Sequence, residues 1–367
     1  MTYLDYNASA PMSDAVIDAM TAAARLRGNP SSVHGYGRTA RAAIENARGE
    51  VAAAVGARPE QVVFTSGATE ANAMALRCCG RRRVLVSAVE HDSVLNAVEE
   101  AERVPVDADG VVDTGRLRSM LSADGSDVVV SVMLANNETG VVQPLDMVAA
   151  VAAETGALVH CDAVQGPGRI PVDFHALGVD FLSLSAHKLG GPKGVGALIL
   201  RREGTIAAGT RGGGQERGLR GGTENLTGIV GFGAAALALS AARARADAVG
   251  RLRDELETRV RGVAPDAVVF GAGARRLPNT ACIGLPGVGS EAQVMALDLA
   301  GIAISAGSAC SSGKIKASHV LKAMGVADSL ASCAIRVSLG PETGAADIEA
   351  FMTAWRKLAT RSRRSAA

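Results

Sequence analysis

The 367-residue chain lacks an excess of charge of either sign, with 38 Lys+Arg against 37 Asp+Glu and a formal net charge of +1. That excludes a global basic field for nucleic acid and an acidic tail. Its six cysteines lack paired spacing: there is no CxxC for zinc, and the adjacency of Cys78 and Cys79 disfavours a mutual disulfide. Reduced thiols and a cytoplasmic setting are expected. A basic start followed by an apolar stretch is also missing, because Met1 to Asn7 reads as folded polar chain, so no secretory leader is expected. Long hydrophobic runs are scarce. The longest, Gly228 to Ala242, is interrupted by glycine and serine and predicts a buried helix rather than a membrane span. Glycines follow a strand at Gly190 to Gly196, but no GxGxxG opens a helix there, which sets a dinucleotide binder aside.

What is present is apolar and glycine-rich. Hydrophobic residues make up 48% of the chain and 43 positions are glycine, enough for one large domain and a smaller one. Ala40, Ile44, Ala47, Val51 and Val55 recur at helical spacing, and Gly56 suits a stop. Apolar runs at 62–64, 84–86, 128–132, 158–160, 181–184 and 197–200 predict buried strands. Their alternation with helical segments predicts an α/β fold, a mostly parallel sheet between helices. After about Ala244 a charged helix, short strands near 268–270 and 280–283, and helical stretches at 291–300, 318–324 and 346–358 predict a smaller α+β domain. The expected division gives 13–245 to the large domain, and 1–12 with 246–367 to the small one.

Ligands of such sheets sit beyond the carboxyl ends of the strands. The residues following five of the runs are Ser66-Gly67-Ala68-Thr69-Glu70, Glu90-His91, Asn136-Asn137-Glu138, Asp162 with Gln165, and Ser185-Ala186-His187-Lys188. Five strands thus deliver hydrogen-bonding or ionisable groups to one rim.

Lys188 closes an apolar strand and precedes a glycine-rich break. A lysine desolvated there exists partly as the free amine and can form a Schiff base with a carbonyl, the anchoring chemistry of pyridoxal phosphate. In isolation it equally suits a strand-end lysine reaching solvent. A pyridine ring held there needs a carboxylate at its nitrogen, and Asp162 is the candidate, although the same residue suits a helix N-cap. Gln165 can reach the ring hydroxyl. Gly67-Ala68-Thr69 before a helical run offers backbone N–H groups and a hydroxyl to a phosphate, or is an ordinary capped turn. Ser185 and His187 can donate to the same phosphate. His91 can stack on the ring and assist proton transfer, or be a satisfied loop histidine.

Two further pieces bear on substrate. Arg336 is a lone cation in Ala334-Ile335-Arg336-Val337-Ser338, and such an arginine holds a carboxylate, of the protein or of a substrate. Asn137 can hydrogen-bond a bound amino acid or the ring hydroxyl. Cys310 stands alone among small residues in Ser305-Ala306-Gly307-Ser308-Ala309-Cys310-Ser311-Ser312-Gly313, with almost nothing to bury it. A thiol on an exposed segment (about 305–318) can attack one molecule and carry the product elsewhere, unless it is a chance cysteine in a turn.

With these residues in place, the chain resembles a cysteine desulfurase, a fold-type I pyridoxal-phosphate enzyme of the class V aminotransferase group. The resemblance runs from Tyr3-Leu4-Asp5-Tyr6-Asn7-Ala8 and Gly28-Asn29-Pro30 through the five rim motifs to Gly212-Gly213-Gly214-Gln215-Glu216-Arg217, Ser308-Ala309-Cys310 and Ile335-Arg336-Val337-Ser338-Leu339-Gly340. Cys310 and its surroundings are similar to the nitrogen-fixation and iron–sulfur-assembly group, which has a long catalytic loop. The resemblance implies that Lys188 carries pyridoxal phosphate and that Cys310 is the sulfur-accepting nucleophile, with His91 assisting. It implies a cofactor cradle of Ala68, Thr69, His91, Asn137, Asp162, Gln165, Ser185 and His187, and substrate contacts from Asn137 and Arg336. It further implies a homodimer in which Thr223 reaches the neighbouring subunit's phosphate. Where the family has Arg-Ser-Gly before that threonine, this chain has Arg220-Gly221-Gly222. The implied reaction takes L-cysteine to L-alanine and a persulfide on Cys310, delivered to a sulfur-acceptor protein such as an iron–sulfur scaffold or to other thio-cofactor synthesis. No metal site is implied beyond a transient contact of Cys310 with an iron–sulfur cluster, and no nucleic-acid or membrane partner. The alternatives are another class V enzyme (a selenocysteine or cystine lyase, or an aminotransferase) and a binding protein that keeps the fold without the chemistry.

Overall fold

The computed structural model describes residues 1–121, 125–306 and 318–366. Strand β1 (Thr2–Tyr3) starts the chain. The main sheet follows: β2 (Val62–Thr65), β3 (Arg83–Ser87), β4 (Glu102–Val104), β5 (Val128–Ser131), β6 (Leu158–Asp162), β7 (Phe181–Ser185) and β8 (Gly196–Leu200), in the order β2-β8-β7-β6-β5-β3-β4. β8 runs antiparallel to both of its neighbours, so the other strands all point one way. The runs β2, β5, β7 and β8 are buried on both faces, which is why they read as continuous apolar stretches without alternation. β4 was not legible as a strand: its Glu102-Arg103-Val104 buries only the valine, as suits a sheet edge.

Helices cover both faces of this sheet. Gly35–Ala54 buries Ala40, Ile44, Ala47 and Val51 on the stripe their spacing predicts. The long apolar run forms helices Leu226–Leu237 and Leu239–Ala244, slightly longer than expected. By length and composition alone the 19-residue stretch is apolar enough to cross a membrane. Its Ile229, Phe232, Ala235 and Ala236 are nonetheless buried, and the Phe232 ring meets Phe64 of β2 edge-on at 6.4 Å. That packing is of a core helix.

A second core gathers Leu4 with Leu256, Val260, Ile283, Phe351 and Trp355. It lies against the sheet formed by β9 (Val268–Val269), β10 (Thr280–Gly284), β12 (Ser305–Ala306) and β13 (Ala334–Ser338), while β11 (Ile302–Ala303) pairs in parallel with β1. The first residues of the chain are therefore pinned to its last third. Across the seam, Val89 packs with Phe270, Cys282, Val320, Leu321 and Met324 in a separate cluster. This brings the ends of β3 and β5 against the second sheet and creates the cleft.

Candidate active site

The strand direction carries all five polar endings to one rim. Lys188 ends a single helical turn (Ala186–Lys188) after β7, and its Nζ donates to the backbone carbonyl of Asn7 at 2.6 Å. Burial, followed by repulsion from Arg336 and Arg169, lowers the lysine to about 8. The partly free amine read from the sequence is thus a physical consequence of its surroundings. Neighbouring His187 is pushed down to about 4, by burial first and then by Lys188 and Lys193, so it is a neutral imidazole.

Asp162 is buried at the end of β6, where its Oδ1 accepts from the Val164 N–H at 3.0 Å and its Oδ2 from Asn72 Nδ2 at 2.9 Å. The Asn72 amide also donates to Ser93 Oγ at 2.9 Å, and that hydroxyl lies 2.8 Å from His91 Nδ1. Because His91 Nδ1 accepts the Ser93 backbone N–H, the proton of the neutral ring sits on Nε2. Asn72 and Ser93 therefore connect Asp162 to His91, and nothing in their local sequence marked them.

The helix Ala68–Cys78 starts without any side-chain cap, leaving first-turn N–H groups at Ala68 and Thr69 for an anion. The approach there is close: a Cβ at Gly196 on β8 would come within 2.7 Å of the Gly67 backbone. Thr69 is exposed and Ser185 is buried. Thr223 is also exposed on this rim side, and Arg220, three residues earlier, pairs with Glu70 at 2.9 Å. Gly221 lies so close to Gly212 that its Cβ would meet the Gly212 Cα at 2.7 Å, which accounts for a glycine at this position.

Gln165 is drawn inward. Its Nε2 donates to the Asn7 carbonyl at 3.1 Å and its Oε1 accepts from Arg169. Asn7 is the unforeseen hub: besides Lys188 and Gln165, it reaches the Asn137 carbonyl, Thr280 Oγ1, Asn279 and Ser338 Oγ. Asn137 thereby gains two donors on its carbonyl, the second being Arg336 Nη1 at 3.1 Å. Arg336 is buried, pairs through Nη2 with Asp5 Oδ1 at 2.9 Å, and leaves its Nε without a partner among the described residues. The carboxylate it holds in this structure is the protein's own. Cys310 lies outside the described residues, and among these no cluster of metal-ligating side chains occurs.

A half-buried amine of lowered basicity, a buried carboxylate across the rim, an uncapped helix start and a guanidinium N–H without a partner among the described residues are what a pyridoxal-phosphate-dependent enzyme requires, and the residues present fit that cofactor. The chain matches the family described as Aminotransferase class-V over residues 2–351. It is 44% identical over 366 residues to a cysteine desulfurase of Cereibacter sphaeroides, covering 95% of this chain and 93% of that protein. A NifS-like protein from Rickettsia africae superposes with a TM-score of 0.89 at 34% identity, over 98% of this chain and 99% of that one. The solved chain titled SspA in complex with cysteine gives a TM-score of 0.81 at 29% identity, covering 94% and 100%. The chain belongs to the class-V aminotransferase family and, within it, to the cysteine desulfurases, enzymes that depend on pyridoxal phosphate.

Proposed function

We propose that this desulfurase takes sulfur from L-cysteine onto Cys310, releases L-alanine, and hands the sulfur to an acceptor protein of iron–sulfur or other thio-cofactor assembly. The single observation that carries the site assignment is the lowered basicity of the Lys188 amine at the mouth of the cleft.

When bound, pyridoxal phosphate supplies an electron sink beside the substrate's Cα. Lys188 takes the Cα proton, because an amine near 8 is a competent base at neutral pH. Asp162 would hold a proton at the ring nitrogen, with Asn72 fixing the carboxylate's orientation. Ala68, Thr69, Ser185 and neutral His187 would hold the phosphate, joined by Thr223 of the second copy in a homodimer, and Gln165 would serve the ring hydroxyl. Arg336 and Asn137 orient the substrate carboxylate. Cys310 thiolate then bonds to the substrate sulfur as the Cβ–S bond breaks. The electron pair goes to Cβ, and Lys188 with His91 returns the proton that completes alanine. The two cores support a division into a large domain of 13–245 and a small one of 1–12 with 246–367.

The test is to incubate the enzyme with L-cysteine and quantify alanine and protein-bound persulfide. Wild type yields both. Cys310→Ser is expected to lose the persulfide and nearly all alanine, whereas full alanine production by that variant would make the chain a lyase or aminotransferase instead.

A further inference from the structure

Arg336 carries more than a lone cation needs. Its side chain is only 7% exposed, and it sits on β13 directly opposite Ser305 of β12 in the antiparallel register. Asp5, which bridges in parallel to Ser338, reaches it from the N-terminal segment. The contact is one-handed: Oδ1 meets Nη2 at 2.9 Å, while Oδ2 is taken by Ser305 Oγ at 2.8 Å. The guanidinium Nε has no partner among the described residues. A guanidinium presents donors as a fork that fits a carboxylate through two parallel N–H bonds, and Asp5 uses only one. A buried arginine with no carboxylate at all is costly, so Asp5 offsets that cost while leaving the better geometry unused.

We propose that Asp5 is a placeholder for the substrate's α-carboxylate, displaced from Arg336 when substrate binds. The inference rests on Arg336 as the substrate's carboxylate holder. One carboxylate replaces another, so the charge around Arg336 is conserved, and the departing side chain, 16% exposed, has solvent to turn to. Ser305 shares Asp5 with Arg336 and helps to hold it in place. Asp5 is thus a positioning residue that raises the concentration of substrate needed.

Asp5→Asn, loaded with cofactor, is expected to lower KM for L-cysteine about 5-fold without a rise in kcat, since the competing charge is gone. A purely structural aspartate predicts the opposite, a raised KM or a parallel loss in both constants, and that result overturns the proposal. The second readout is the affinity for L-alanine as carboxylate probe: Ser305→Ala, which takes away the hydroxyl that holds Asp5 in place, is expected to tighten it about 2-fold or more. Unchanged or weaker binding in Ser305→Ala overturns the proposal, even if Asp5→Asn proves unable to fold. Arg336→Lys separates the two levels. If it leaves KM unaltered, the substrate-holding role of Arg336 fails; if it raises KM while Asp5→Asn does not lower it, only the placeholder fails.

Discussion

The ε-amine of Lys188 and the backbone carbonyl of Asn7 meet at 2.6 Å across 181 residues of sequence. That amine is therefore held by the N-terminal segment, which is itself fastened to the second core through Leu4. Any change that loosens that segment acts on the amine at once.

Lys188 should titrate well below an ordinary lysine. In cofactor-free protein labelled with acetic anhydride from about pH 6 to 11, the Lys188 peptide is expected to show a reactivity midpoint near 8. A midpoint near that of a solvated lysine would refute the desolvation argument. The unfolded chain binds this proton more tightly, so Lys188 by itself makes stability rise with pH between about 8 and 10.5.

Glu90 gives the opposite slope. Burial raises its carboxyl to about 8, and its Oε2 has no partner among the described residues, although Ser87 and the Met133 N–H both donate to Oε1. Glu138, bonded to Ser318, is raised to about 7 for the same reason. The folded state holds these protons longer than the unfolded chain, so their contribution is present below about 4.5 and is lost as pH rises through 7 to 8. Thermal unfolding of the cofactor-free protein should show Tm falling over that window. Glu90→Gln should flatten the fall; an unchanged slope would place the pH dependence elsewhere.

Asn7→Ala removes every side-chain partner that this residue gives to Asn137, Thr280 and Asn279. Leaving such groups buried and unpaired costs about 1–3 kcal/mol each. Urea unfolding is expected to show a loss of about 3 kcal/mol, together with a shifted Lys188 reactivity midpoint. Loss of stability with the midpoint intact would sever the link between the two.

Gly221→Ser brings a side chain into collision with the Gly212 backbone at 2.7 Å. Neither atom belongs to a flexible side chain, so the loop must shift, at a cost of about 1–3 kcal/mol. The variant should release pyridoxal phosphate faster on dialysis, read from the cofactor's absorbance. Equal retention would show that the loop accommodates the hydroxymethyl group without moving Thr223.

The sequence alone determined the class of fold and the placing of polar residues at the strand ends of one rim. Doubly buried strands read as unbroken apolar runs, and the polar residues that follow mark where each one ends. It also marked Arg336, because a cation inside Ala-Ile-Arg-Val is costly without a partner. What only the tertiary structure decided is who those partners are. Asp5, Asn7, Asn72 and Ser305 lie far from their contacts in the chain, and nothing in their own neighbours in sequence names those partners. Their roles come from the seam between two cores, where desolvation sharpens every polar contact and where Asn7 holds Lys188 and Asp5 holds Arg336. Local pattern records what a strand must bury; it does not record which distant strand will face it.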